Sequence, residues 1–227
     1  MTSRVLVWDL PTRLFHWLLA ASFAGAWLTA ESERWRDIHV ALGYTCAGLI
    51  LFRLVWGFVG SRYARFSSFA AGPRRLAAYL ASLFGPAPQR HVGHNPAGGW
   101  AVFALLGLGL LTSATGLLTF SDIGGHALEE AHEVAASAML ALVVVHICAV
   151  IVSSALHREN LVRGMLTGYK EGSADEGIPR PGWIVGAALV AALAAFWIAT
   201  LRDAPPEPRP GAAVTSAHAR HSDTDEH

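Results

Sequence analysis

Lysine is almost missing from this sequence: Lys170 stands alone beside sixteen arginines. Charge of either sign is scarce, at 15% of residues, where a soluble domain carries about a quarter. The formal net charge is zero, so the chain has no basic excess with which to hold nucleic acid, and that partner is excluded. Cysteine is down to Cys46 and Cys148, each inside an apolar run, a setting for small buried thiols and not for a disulfide framework. No Cys-x-x-Cys-His occurs, which excludes covalent c-type haem attachment. What fills the chain instead is apolar: 53% of residues are hydrophobic and the mean hydropathy is +0.38. Eleven histidines in so apolar a sequence are the anomaly to explain.

A bilayer crossing takes about 20 apolar residues, and five stretches qualify: 11–30, 37–60, 97–120, 130–156 and 183–201. Trp8, Trp35, Trp56, Trp100 and Trp183 stand near their ends, as interface anchors do. The first stretch is expected to be a retained span, since Asp9, Pro11, Arg13 and His16 break up the clean apolar centre of a signal peptide that Leu28-Thr29-Ala30 would otherwise end as a cleavage site. Arginine placement sets the expected orientation. Arg4, Arg13, Arg62, Arg65, Arg74, Arg75, Arg90, Arg158, Arg163, Lys170 and Arg180 all fall on one side of alternating spans; the other side has only Arg34 and Arg36, in a loop with Glu31, Glu33 and Asp37, and no basic residue in the loop 121–129. The N-terminus is expected in the cytoplasm, with the C-terminus periplasmic if the fifth span crosses. Residues 73–84 read as a short surface helix. The expected organisation is a transmembrane domain over 1–170, a linker over 171–181, a further helix over 182–202 and a disordered tail over 203–227.

The histidines are ordered in depth. His132 and His146 lie 14 residues apart on the fourth span, about 21 Å along a helix and within about 40° of one face. His16 stands 14 residues before the outer end of the first span, and His39 stands at the outer start of the second. His39 therefore matches the level of His132, and His16 that of His146. Two imidazoles at one depth, supplied by different helices and repeated at a second depth, suit the two axial positions of a haem iron. Each ring keeps a second nitrogen to donate to a carbonyl, the one four residues earlier on its own helix being one choice. With both axial positions taken, the natural role is electron transfer.

Arg53 falls 14 residues after His39, at the level of His16 and His146. A charge there is costly unless paired or able to snorkel to the headgroups; haem propionates would supply the anion. Arg13 reads as well as a topology marker, and Arg34 or Arg36 could meet propionates at the outer level. Gly43, Gly107, Gly109 and Gly116 would let a macrocycle approach the backbone, with small-residue helix packing as the competing explanation. His157 reads as an interfacial residue. His91, His94 and His126 fall in loops, and His218, His221 and His227 in the tail.

Four stretches carry a resemblance: VWDLPTRLFHWLLAASF, HVALGYTCAGLILFRLVWGFVGSRYARFSSF, GHNPAGGW and AHEVAASAMLALVVVHICAV, in that order. Over residues 4–170 the chain resembles the bacterial cytochrome b561 family, which includes the cytochrome b subunit of nickel-iron hydrogenases. The resemblance implies an all-α integral membrane protein, a four-helix bundle holding two non-covalent haems b, with the fifth span added. It implies electron exchange with membrane quinone and with a redox partner protein, a c-type cytochrome or a hydrogenase-like or dehydrogenase subunit. It also implies a bacterial inner membrane location. Carried over residue by residue, the ligands fall on His16, His39, His132 and His146. Two other functions compete. A quinone-linked oxidoreductase acting alone, for instance on superoxide, would share the haems and need no protein partner. A histidine-based metal or proton transporter would want acidic groups at mid-membrane depth, and the first four spans have none there.

Overall fold

The computed structural model describes residues 3–83, 85 and 89–203. The chain divides into two compact units, residues 1–192 and 193–227, the boundary falling inside the last helix. The helices are α1 (Leu10–Thr29), α2 (Arg36–Val59), α3 (Pro73–Ser82), α4 (Pro96–Phe120), α5 (Gly125–His157), α6 (Leu161–Thr167) and α7 (Trp183–Asp203). Two four-residue strands, β1 (Ser3–Leu6) and β2 (Tyr169–Gly172), pair antiparallel with Ser3 opposite Gly172 and Leu6 opposite Tyr169. The five long helices coincide with the five expected spans to within a few residues.

Local chemistry sets the helix starts. Asp9 caps α1 by accepting from the Thr12 amide at 2.7 Å, with Pro11 in the first turn. Asn95 does the same for α4, accepting from Gly98 N at 2.7 Å ahead of Pro96. Asn160 caps α6 through Arg163 N at 2.8 Å, and Gly168, at φ +88°, ends it in a left-handed turn.

Among the described residues, four helices are long and apolar enough to cross a membrane: Glu33–Val59, Pro96–Phe120, Gly125–His157 and Trp183–Arg202. α1 has the length, 20 residues, but Arg13 and His16 dilute its hydropathy. The outward faces fit this reading. Phe58, Val59, Val145 and Ile151 are each more than 60% exposed, which an aqueous surface rarely tolerates in such density. Hydroxyls within the spans bond back to their own helix, as Thr45 Oγ1 does to Ala41 O and Thr112 Oγ1 to Leu108 O, both at 2.9 Å.

Inside, α1 packs along α2, α2 against α4, and α4 along α5. Phe15, Leu49, Ile50 and Leu106 make the core of the first three. Gly25 lets Leu42 approach α1, and Gly109 lets Ile50 approach α4, where an added Cβ would come within 3.0 and 2.9 Å of those side chains. Neither α1 nor α2 makes an extensive contact with α5.

A second core lies at the opposite end of α1. Val5, Val7 and Trp8 pack with Tyr63, Val92 and Met165, so Trp8, 7% exposed, is an interior residue here and not an interface anchor. The sequence offered no strand, and the ribbon is the main addition to the expected all-helical fold. Residues 171–181, expected as a linker, run along it: Ile178 N donates to Leu6 O at 2.8 Å and Tyr63 Oη to Glu176 O at 2.8 Å. The sole lysine is buried beside it, its Nζ 3.4 Å from Glu159 Oε1 and donating to His91 O at 3.3 Å. The expected surface helix is α3, whose Tyr79 is turned inward at 2% exposed; Phe84, and the tail from residue 204 with its three histidines, lie outside the described residues.

Candidate haem sites

The four histidines chosen by depth meet two by two. His16 on α1 faces His146 on α5 with ring centroids 6.5 Å apart, and His39 on α2 faces His132 on α5 at 6.3 Å. An imidazole nitrogen sits about 2 Å from a metal it ligates, and its ring centre about 1 Å beyond. Two rings on opposite sides of one iron therefore have centres about 6 Å apart. Both pairs satisfy that spacing. Each also bridges α5 to a helix it does not pack against, so the rings face one another across the gap between α5 and the α1–α2 pair.

The outer pair is oriented by backbone carbonyls. His39 Nδ1 donates to Ala26 O on α1 at 2.9 Å, and His132 Nδ1 to Thr112 O on α4 at 3.0 Å. Neither acceptor is the carbonyl four residues earlier; both come from neighbouring helices, which fixes the rings against the bundle and leaves each Nε2 free. His157 does use its own helix, donating to Ser153 O at 2.9 Å, and its Nε2 lies 3.2 Å from Gln89 O, so it ties down a loop. Gly116 matters for His132: a Cβ there would stand 2.8 Å from the ring's Cε1. Of the other glycines, Gly43 and Gly107 face open space and Gly109 is a packing contact with Ile50.

The inner pair has a different surround. His16 Nδ1 is buried with no hydrogen-bond partner. Arg53 is 2% exposed, its guanidinium 4.8 Å over the Phe66 ring, and Nη1 and Nη2 bond to nothing in the protein. An arginine that snorkels would turn to the surface; this one is turned inward. Asp9 acts on this cation electrostatically, but its carboxylate is committed to Thr12, Trp56 and Ser61 and makes no hydrogen bond to the guanidinium, so a further anion would find both terminal nitrogens open. Arg13 is engaged elsewhere, donating to Leu166 O on α6, and Arg34 lies over Trp35, 5.4 Å from its ring centre.

Loop residue His94 was not singled out by the sequence. Its ring lies 4.7 Å from Trp8 and 4.4 Å from Phe69, centre to centre, and its Nδ1 is buried without a partner. Burial above all, then the charges of Arg53 and Lys170, pushes its pKa down to about 3. The Gly-His-Asn-Pro context shows only a turn and a helix cap; what brings His94 inside is contact with β1 and Phe69, distant in sequence.

No group of three or more His, Cys, Asp or Glu able to hold a metal ion occurs among the described residues. A structural ion site draws about four ligands from the protein, whereas a porphyrin supplies four nitrogens itself and asks the protein for two. Paired imidazoles across a gap, a buried arginine with unbonded nitrogens 14 residues along α2 from His39, and a freed Nε2 on each outer ring fit that group.

A helical protein of this kind, multi-pass by its apolar helices and with imidazoles paired between them, falls in the class of membrane b-type cytochromes. The family model for prokaryotic cytochrome b561 matches residues 7–168. The chain belongs to that family. It is 30% identical over 148 residues to a probable Ni/Fe-hydrogenase B-type cytochrome subunit of Azotobacter chroococcum mcd 1, and to the same degree to one of Azotobacter vinelandii. Each alignment covers 53% of this chain and 61% of the relative, so the chain matches under two thirds of their length. A protein of the same name from Rhizobium leguminosarum bv. viciae is 25% identical over 212 residues, covering 73% of this chain and 88% of the relative. No solved structure matches.

Proposed function

We propose that this chain is an electron-transfer subunit that holds two b haems, one above the other, and passes electrons between membrane quinone and a redox partner protein. The observation that carries the reading is the two pairs of facing imidazoles, at 6.5 and 6.3 Å, supplied by three helices. A haem between each pair supplies reversible one-electron chemistry at iron. His16 and His146 would hold the inner group and His39 and His132 the outer one, with Arg53 pairing its charge with the inner propionates. Two imidazoles per iron leave no position for oxygen, which favours transfer over activation. Residues 1–170 are the haem-holding unit, followed by the strap 171–181, the additional helix 182–202 and the tail 203–227.

Parity supports α1 as a membrane span despite its polar residues. β1 and β2 pair with each other, so they lie on one side, and the helices between them that cross must be even in number. α2, α4 and α5 make three; α1 makes the fourth. With the arginine-rich connections inward, that side is the cytoplasm of a bacterial inner membrane, and α7 then leaves the C-terminus outside. The relatives' names favour a hydrogenase-like subunit as partner, with a c-type cytochrome as the other form such a partner takes.

A reduced-minus-oxidised spectrum of the detergent-purified protein, with haem quantitation, tests this. We expect two bis-histidine b haems per chain. His16→Ala and His146→Ala should remove one component, and His39→Ala and His132→Ala the other. Loss of the same component from His16→Ala and His39→Ala would overturn the pairing, and a chain with no haem the reading itself.

A further inference from the structure

Two buried donor side chains have nitrogens with no hydrogen-bond partner in the protein, and they come from different elements. Arg53 is on α2, with Nη1 and Nη2 unbonded. His94 is in the loop before α4, with Nδ1 buried and unbonded. The two are linked through aromatic rings: the Arg53 guanidinium lies 4.8 Å over Phe66, Phe66 meets Phe69 at 6.0 Å, and Phe69 meets the His94 ring at 4.4 Å. Its position is enforced. The next residue, Asn95, accepts from Gly98 N at 2.7 Å and donates to Tyr79 Oη at 2.8 Å, pinning the backbone. Trp8 and Phe69 hold the ring between them.

Buried donors are costly when left unpaired, and these two flank one aromatic cluster, where the two propionates of a haem would supply an acceptor to each. We propose that His94 joins Arg53 in a cradle for the propionate carboxylates of the inner haem, a role that rests on the haem reading above. The two contributions are complementary. Arg53 brings a permanent charge and a planar fork suited to a carboxylate. His94, held neutral by its burial, brings one ring N–H without adding a second charge to repel the first. The competing role is a stacked core imidazole that only fills space between Trp8 and Phe69.

A redox titration of the full-length, haem-loaded protein separates the two. The inner component is the one that His16→Ala removes. Losing a donor leaves the propionate charge less neutralised, which favours the ferric form. In His94→Ala we expect the inner haem's ratio of oxidised to reduced form to rise about tenfold at fixed potential, about 59 mV for a one-electron couple, with the outer component unmoved. His94→Gln, which keeps an N–H donor, should recover most of that shift. Should His94→Ala lose the inner haem entirely while His94→Gln keeps it, the cradle also stands. An inner potential unchanged in His94→Ala, both components moving together, or loss of the inner haem in both variants would overturn it. If His16→Ala leaves both components in place, the haem assignment fails first and the cradle falls with it.

Discussion

Trp56 Nε1 donates to Asp9 Oδ2 at 3.2 Å, joining the last turn of α2 to the residue that caps α1. Asp9 is 1% exposed and also accepts from the Thr12 amide at 2.7 Å and from Ser61 Oγ. One carboxylate thus closes a helix end and clasps two helices. Asp9→Ala loses a cap, about 1 kcal/mol, and leaves a buried indole N–H and a hydroxyl without their acceptor, about 1–3 kcal/mol more. The variant should melt well below the wild type in detergent, with Asp9→Asn between them. Equal melting temperatures for Asp9→Ala and wild type would show the clasp to be idle.

Gly116→Ala should act on one haem only. The added methyl would stand 2.8 Å from Cε1 of His132 and 3.1 Å from its Nδ1, and so must push the ring off its bond to Thr112 O. The expected result is a weakened or missing outer component and an intact inner one, read from the difference spectrum. Gly72→Ala, in the loop before α3 and with nothing within 4 Å, is the control and should leave both components unchanged.

Arg53→Met separates the stability of the chain from its hold on the cofactor. Without haem, the guanidinium is a buried, unpaired charge, so replacing it with an apolar side chain of similar length should raise the melting temperature. With haem, the same change removes a charge-assisted contact of about 1.5–3 kcal/mol, equal to about ten- to hundredfold in inner-haem affinity. Opposite signs in the two states are the expected outcome; a lower melting temperature in both would mean Arg53 has a partner within the protein.

His94 gives the haem-free chain an acid-sensitive stability. Its pKa stands at about 3 when folded and about 6.5 when unfolded, so between those values the unfolded chain binds the extra proton. Its contribution is complete above pH about 6.5 and falls as the pH drops toward 3, by up to about 1.4 kcal/mol per pH unit. His94→Gln should flatten that part of the slope when unfolding is followed at about pH 7.5 and about pH 5. Parallel slopes would mean that the imidazole stays hydrated in the folded chain.

The long helices and the pairing of the histidines were legible because both follow from a fixed geometry. Fourteen residues on a helix return to nearly the same face whatever surrounds them, so His132 and His146 announce their levels in the sequence alone. The ribbon was not: Tyr169–Gly172 has no alternation of apolar residues, and its partner lies far away at Ser3–Leu6. Nor were the Nδ1 acceptors of His39 and His132, which are carbonyls of other helices and depend on how α1 and α4 rotate. His94 was hidden by the rule that polar loops lie outside; it is drawn in by Trp8 and Phe69, and Trp8 is itself inside only because the ribbon covers it.

The pairing of Ser3–Leu6 with Tyr169–Gly172 sets an order of events during synthesis. The first strand leaves the ribosome before any helix exists and must wait, unpaired, until the four long helices between the strands have been made. Only then can its neighbour arrive and shut the ring. A chain arrested before residue 169 would carry α1 to α6 but not their closure, leaving the Ser3–Leu6 backbone without its partner strand. The ribbon thus serves as the last stitch, formed when the bundle it fastens is already in place.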